Sequence, residues 1–71
     1  MKKIYIVEGW DGDMEVFHNK ENAMKEFNRR VLLVDDCVLE IEEDNYLEYR
    51  WYDKTIKDNY FLVFMEVEFS D

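Results

Sequence analysis

The chain has 71 residues, and its 18 acidic and nine basic side chains give it a formal net charge of −9 at pH 7. A protein with this charge repels nucleic acids and membrane surfaces, and it attracts basic protein surfaces. Hydrophobic residues make up 48% of the chain, which excludes a disordered acidic tail. We therefore expect one acidic domain spanning residues 1–71, because a chain of this length leaves no room for a second core.

The single cysteine and the N-terminal segment indicate where such a protein works. Cys37 has no partner within the chain, which excludes an intramolecular disulfide and a multi-cysteine zinc site. Lys2 and Lys3 precede only a short apolar run, which is not the pattern of a signal peptide. No segment approaches the length of a membrane span. These features predict a cytoplasmic protein with a reduced thiol.

The first part of the chain predicts a β-hairpin. Residues 3–10 are β-branched and aromatic, with apolar side chains on both faces, as in an inner strand. Asp11-Gly12 is the pair that a type I′ turn favours, because both central residues of that turn need a positive φ. Residues 14–18 alternate in polarity and return as the second strand.

A helix is predicted from residue 20 to about residue 34. Asn19 fits an N-cap, and Glu21 lies in the first turn, where the helix dipole favours an acid. One helical stripe holds the apolar side chains Ala23, Met24, Phe27, Val31 and Val34. The charged side chains fall mostly on the solvent side and are Lys25, Glu26, Arg29 and Arg30. The end of the helix stays open between Arg30 and Asp35, since this stretch could equally begin a strand.

After Asp36 the hydrophobic period becomes two, which predicts three further strands separated by a turn at Asp44-Asn45 and a polar connection at 53–59. The predicted fold class is α+β, with the order β-β-α-β-β-β and a single helix packed on a mainly antiparallel sheet. A helix of about 14 residues is roughly 21 Å long and about 10 Å wide. Five strands spaced about 4.8 Å apart need more cover than that. One sheet face is therefore expected to stay open.

The alternation in the last three strands predicts which side chains this open face carries. It assigns to that face Val38, Glu40, Glu42, Tyr46, Glu48, Arg50, Tyr52, Tyr60, Leu62, Phe64, Glu66 and Glu68. Aromatic side chains are enriched in interface cores, and acids around them steer a basic partner. Residues i and i+2 on a strand lie about 6.6 Å apart. Glu40–Glu42 and Glu66–Glu68 are therefore expected to imitate a row of phosphates, which step about 3.4 Å along one DNA strand.

The predicted partner-binding surface combines acids and rings. Its acids are Asp35, Asp36, Glu40, Glu42, Glu43, Asp44, Glu48, Glu66 and Glu68. Its rings are Tyr46, Trp51, Tyr52 and Tyr60, of which alternation places Trp51 on the helix side. Changing Glu40, Glu42 and Glu48 to Lys is expected to slow association and to leave the fold intact.

The chain shows no catalytic, metal or cofactor pattern. The acids around Gly12 resemble a calcium loop, but the EF-hand needs Gly at its sixth position and Glu at its twelfth, where Val16 and Asn22 stand. His18 is the only histidine, and no Ser-His-Asp or Cys-His pairing follows from the sequence. Cys37 lies on the apolar side of its strand and is expected in the core. We therefore expect a non-enzymatic protein without a cofactor or metal.

Four features of the chain can be compared with known groups of proteins. They are the acidic run from Asp35 to Glu48, its interleaved tyrosines, the short length and the Met-Lys-Lys-Ile-Tyr-Ile-Val opening. In these features it resembles the small acidic proteins that bacteriophages use against host defences, which include anti-CRISPR proteins and other DNA-mimicking inhibitors. That group shares no diagnostic motif and no single fold, so no residue role is carried over. The resemblance implies a stoichiometric inhibitor in the host cytoplasm that occupies a nucleic-acid-binding or regulatory surface of a larger bacterial protein.

Two alternatives stay open at this point. The first is a homodimeric structural or accessory domain of a phage or bacterium, whose open face is its own interface; the acids disfavour this unless they lie at the rim. The second is an enzyme or toxin that uses His18 or Cys37. The sequence determines neither the partner nor whether binding inhibits, activates or tethers it.

Overall fold

The computed structural model describes residues 2–9, 12–34, 36–55 and 57–69. Its elements are β1 (Lys2–Glu8), β2 (Met14–Phe17), α1 (Lys20–Leu32), β3 (Val38–Glu43), β4 (Tyr46–Asp53) and β5 (Asp58–Phe69). The strands form one antiparallel sheet in the order β2-β1-β5-β4-β3. The α+β fold class and the predicted element order are confirmed.

The central strand β5 has 12 residues, and its two neighbours pair with different parts of it. β1 pairs with the stretch Val63–Phe69, whereas β4 pairs with the stretch Asp58–Met65. The two halves of the sheet are therefore staggered along β5 and overlap only near its middle. The stagger makes the molecule elongated, with principal extents of 45 × 19 × 18 Å.

The helix α1 has the predicted start and a shorter end. The side-chain oxygen of Asn19 accepts a hydrogen bond from the backbone N–H of Asn22 at 3.2 Å, which confirms the N-cap. The backbone N–H of Leu33, the C-cap residue, donates to the carbonyl of Arg30 at 3.1 Å. Val31 and Leu32 therefore continue the helix, which ends at the C-cap Leu33, and this stretch does not begin a strand.

The core lies between α1 and the sheet. Its buried members are Val7, Ala23, Phe27, Leu62 and Phe64, and the predicted stripe residues Met24 and Val31 pack against them. The Phe27 ring contacts the rings of Tyr49 and Phe64, with centroids 5.8 and 5.9 Å apart. Full burial of one such side chain stabilises the fold by roughly 1.5–3 kcal/mol. α1 packs mainly on β1, β5 and β2, so it covers one half of one sheet face.

The predicted orientation of β5 is wrong. Leu62 and Phe64, assigned by alternation to the open face, are buried against α1. Because successive strand residues point to opposite faces, the odd-numbered set that begins with Phe61 lies on the open face. The even-numbered set is Tyr60, Leu62, Phe64, Glu66 and Glu68, and it lies on the helix side.

The predicted alternation of β3 is also wrong beyond its start, because the strand contains an irregularity between Leu39 and Ile41. Leu39 pairs with Tyr49, which lies on the helix side of the sheet, whereas Ile41 pairs with Glu48, which lies on the opposite face. The extra residue, Glu40, reverses the alternation as a β-bulge does. Glu42 consequently lies on the helix side and not on the open face.

Arg30, predicted on the solvent side of α1, is only 7% exposed. Its guanidinium donates to Glu26 at 2.7 Å and to Asp13 at 3.3 Å, and it lies 3.8 Å from Glu15. Hydrogen bonds from Arg29 and then Arg30 lower the pKa of Glu26 from 4.5 to about 2. The arginine thus ties α1 to the β1–β2 hairpin.

Candidate functional site

We call the sheet face opposite α1 the open face; no described helix or strand covers it. Residues paired across antiparallel strands share a face, so the strand register identifies its members. β1 and β2 contribute Lys2, Ile4, Ile6, Glu8, Met14 and Val16. β3 and β4 contribute Val38, Ile41, Glu43, Tyr46, Glu48, Arg50 and Tyr52. The central strand contributes Phe61, Val63, Met65, Val67 and Phe69.

One half of this face, here called the acidic half, comprises the open-face residues of β3 and β4 together with Glu40, Asp36 and Phe61. It forms a shallow concavity of about 800 Å³ that extends to Glu8 on β1. Asp36 and Glu40 are exposed at its margin. Val38, Tyr52 and Phe61 are exposed as well. Large apolar side chains and carboxylates thus share one accessible surface.

Glu48 lies at the centre of the acidic half and is nevertheless only 7% exposed. Its carboxylate accepts a hydrogen bond from the Tyr46 hydroxyl at 2.8 Å and another from Arg50 Nε at 2.5 Å. The hydrogen bond to Glu48, followed by burial, raises the pKa of Tyr46. Both carboxylate oxygens are therefore engaged within the chain, and Glu48 positions its neighbours instead of presenting a free charge.

The structure divides the predicted acids between both sheet faces. Those on the acidic half are Asp36, Glu40, Glu43 and Glu48. Those on the helix side, contrary to prediction for the open face, are Glu42, Glu66 and Glu68. Asp44 is exposed in the turn between β3 and β4, as predicted, and Asp35 lies outside the described residues.

The phosphate-like rows predicted from these acids are wrong. The bulge in β3 separates Glu40 and Glu42 onto opposite faces. Glu66 and Glu68 share a face, but it is the helix side, where Glu66 lies 3.7 Å from the ammonium of Lys3. Neither pair presents a regular row of charges on the open face.

The predicted rings are divided in the same way. Tyr46 and Tyr52 lie on the open face, as alternation predicts. Tyr60 is paired with Trp51 on the helix side, with ring centroids 5.9 Å apart, although both residues also line the concavity of the acidic half. The expectation that Trp51 faces the helix is confirmed by its packing against the core.

Sequence reasoning missed the other half of the open face, here called the apolar half. It consists of Ile4, Ile6, Met14, Val16, Met65, Val67 and Phe69, with Lys2 and Glu8 at its two ends. Met14, Val16 and Phe69 are 58%, 49% and 43% exposed. The available signal was the apolar character of β1 on both faces, because a single helix can cover only one of them.

The groups considered for catalysis, His18 and Cys37, lie in different surroundings. No three or more His, Cys, Asp or Glu side chains in that part of the chain are grouped to hold a metal ion. Cys37 is half-buried, and its thiol donates to the carbonyls of Val31 and Val34 at 3.9 and 3.8 Å, while His18 is exposed. No described helix is long and apolar enough to cross a membrane.

Comparison with known proteins assigns no role to any of these residues. The chain matches no protein-family model, and it matches neither a curated protein nor a solved structure. The open face is therefore the candidate site on geometry and charge alone.

Proposed function

We propose that this protein is a non-enzymatic inhibitor of the phage anti-defence kind, which binds a basic surface on a larger bacterial protein. The surface it would occupy is a nucleic-acid-binding or regulatory site. The observation that supports this is the acidic half, where the exposed side chains of Tyr52, Phe61 and Glu40 line one concavity. Apolar and aromatic contacts ringed by complementary charge are the usual composition of a specific protein interface.

The charge of the molecule supports fast association with such a partner. A net charge of −9 on 71 residues attracts a basic protein at long range. This steering weakens as salt shortens the Debye length from about 30 Å at 0.01 M to about 8 Å at 0.15 M. Tyr46 and Arg50 are already held by Glu48, so little side-chain order has to be gained on docking.

The structure changes which charge reversals can test this proposal. Glu48 is buried against Arg50, so replacing it with Lys would place two cations together in a desolvated position. The triple reversal of Glu40, Glu42 and Glu48 to Lys is therefore expected to destabilise the fold, contrary to the prediction from the sequence. Glu42 is also uninformative about the open face, because it lies on the helix side.

A matched pair of double variants tests the proposal instead. Glu40→Lys with Glu43→Lys alters the open face, and Glu42→Lys with Glu68→Lys alters the helix side by the same change in net charge. All four carboxylates are exposed, so both variants should fold. The wild-type chain would first be used to capture its partner from bacterial lysates at low salt, with mass spectrometry of the proteins released at high salt.

Association rates with the captured partner would then be measured for both variants. We expect the open-face variant to associate at least about tenfold more slowly and to lose most of the salt dependence. The helix-side variant should show only the smaller effect of reduced net charge. Equal losses in the two variants, or no loss in either, would contradict binding through the acidic half.

A further inference from the structure

We propose that the apolar half of the open face binds a second copy of this chain. In the resulting two-fold symmetric dimer, the two sheets pack face to face, with the β1 strands of the two copies antiparallel. This surface adjoins the acidic half at Glu8 and Met65, which also line the concavity, but its exposed side chains Met14, Val16 and Phe69 lie outside that concavity. The inference does not depend on the proposed inhibitory function.

The exposed apolar side chains of the apolar half are typical of a protein interface. Met14, Val16 and Phe69 are each more than 40% exposed, with exposed fractions of 58%, 49% and 43%. They adjoin the half-buried side chains of Ile6 and Val67 on neighbouring strands. Contiguous apolar patches of this kind on soluble proteins commonly mark interfaces.

The charge distribution of the apolar half favours a second copy of this chain as its binding partner. Among the described residues of this half, the charged side chains are Lys2 and Glu8, at opposite ends of the β1 row. Two copies of a chain with net charge −9 can therefore meet here without bringing carboxylates face to face. When the strands run antiparallel, Lys2 of each copy lies over Glu8 of the other, and Ile4 lies over Ile6.

The stagger of the sheet keeps the acidic halves apart in this arrangement. β4 pairs with β5 only from Asp58 to Met65, so no part of β4 lies beside the Val67–Phe69 end. The two-fold axis lies between the two sheets, runs perpendicular to the strands and passes over Tyr5 of β1. Rotation about this axis places the acidic half of each copy beyond the end of the other copy. The dimer consequently displays two exposed acidic halves at opposite ends.

The size of the apolar half predicts a weak dimer. Seven residues of β1, seven of β5 and four of β2, each rising about 3.3 Å on strands about 4.8 Å apart, give a flat footprint of roughly 290 Å² per copy. Side-chain relief enlarges this accessible area, but the total stays near the lower limit of about 1,000–1,200 Å² for specific interfaces. We therefore expect dissociation in the micromolar range or weaker.

Sedimentation equilibrium of the full chain between about 1 µM and 1 mM tests this inference over the range expected for a small interface. Wild type should change from monomer to dimer across that range. Val16→Lys should weaken the dimer at least tenfold, although it lowers the net negative charge. Asn28→Lys adds the same charge on the exposed side of α1 and should leave the dimer intact. A monomer at all concentrations, or equal dimerisation of the Val16→Lys variant, would overturn the proposal.

A charge swap tests the antiparallel arrangement itself. Lys2→Glu and Glu8→Lys should each weaken dimerisation several-fold, and the double variant should restore it. Lys2 and Glu8 are six residues apart on one extended strand, roughly 20 Å, so coupling between them must come from two different copies. Circular dichroism would establish that each variant folds. Failure of the double variant to recover would rule out the proposed pairing.

Discussion

The two faces of the sheet contain similar apolar side chains but have different surroundings. On β5, Phe64 is 1% exposed beneath α1, whereas Phe61 on the opposite face is 45% exposed. The helix side buries its apolar residues beneath α1, whereas the open face leaves several comparable residues exposed, although Val63 near its centre is only 3% exposed. In so small a protein, hydrophobic character therefore does not by itself distinguish the folding core from an interface. Burial by a particular neighbouring element does.

Truncating matched phenylalanines on the two faces should produce the largest difference. Phe64→Ala removes a fully buried ring that contacts Phe27 and Tyr5, and we expect it to lower the free energy of unfolding by about 3–5 kcal/mol. Phe61→Ala removes an exposed ring from the same strand and should lower it by less than about 1 kcal/mol. Urea unfolding at low protein concentration, where the monomer prevails, measures both values.

The same two variants distinguish an effect on monomer stability from an effect on partner binding. Phe61→Ala should weaken capture of the basic partner proposed above, since Phe61 borders the concavity of the acidic half. If Phe61→Ala instead destabilised the monomer as strongly as Phe64→Ala, the open face would belong to the folding core. The contrast between the faces would then be lost.

An intermediate effect is expected at Glu48, the buried acid of the open face. Arg50→Ala removes a guanidinium that donates to this carboxylate and leaves Tyr46 as the other side-chain donor recorded for it. We expect a loss of about 2 kcal/mol in unfolding free energy, because a buried charge loses a charged hydrogen-bond partner. Lys25→Ala is the control, since its ion pair with Glu21 is exposed and should contribute less than about 0.5 kcal/mol. Equal, small losses would indicate that Glu48 is not effectively desolvated.

The smallest effect concerns Glu26 on the helix and depends on pH. Its pKa is lowered from 4.5 to about 2 in the folded protein, chiefly by the hydrogen bond from Arg29. A lowered pKa means that this stabilisation is present above pH 4.5 and is lost as the pH falls through about 2. Glu26→Gln should therefore destabilise the protein at pH 7, by less than about 1 kcal/mol because solvent screens the pair.

Urea unfolding of wild type and Glu26→Gln at pH 7 and near pH 2 measures this contribution. The difference between the two proteins should shrink as the pH is lowered. A difference that stays constant over this range would mean that the ionised form of Glu26 is not the source of the stabilisation.

Local patterns predicted much of the fold. The period of the apolar residues identified the helix and all five strands, and Asn19 was recognised as the N-cap because its side chain acts on the backbone only three residues away. The faces of β4 were also predicted, since Leu47 and Tyr49 alternate with polar or charged neighbours. These features depend on contacts within one element, which a sequence pattern can represent directly.

The acidic half was predicted only in part, and the apolar half was missed. Tyr46, Glu48 and Tyr52 were assigned to the open face because β4 alternates without interruption. Glu42 was misplaced by a one-residue bulge that has no distinctive sequence signal. The burial of Arg30 escaped prediction because one of its partners, Asp13, lies 17 residues away on the hairpin.

The sequence by itself determined the order of the elements, the helical stripe and the strong negative charge, because each follows from neighbouring residues or from composition. The tertiary structure alone decided which face of β5 lies under the helix. Phe61 and Val63 on one face are as apolar as Leu62 and Phe64 on the other, so alternation offers two nearly equivalent orientations. The choice depends on packing between α1 and distant strands, which places Leu62 and Phe64 in the core and leaves Phe61 exposed.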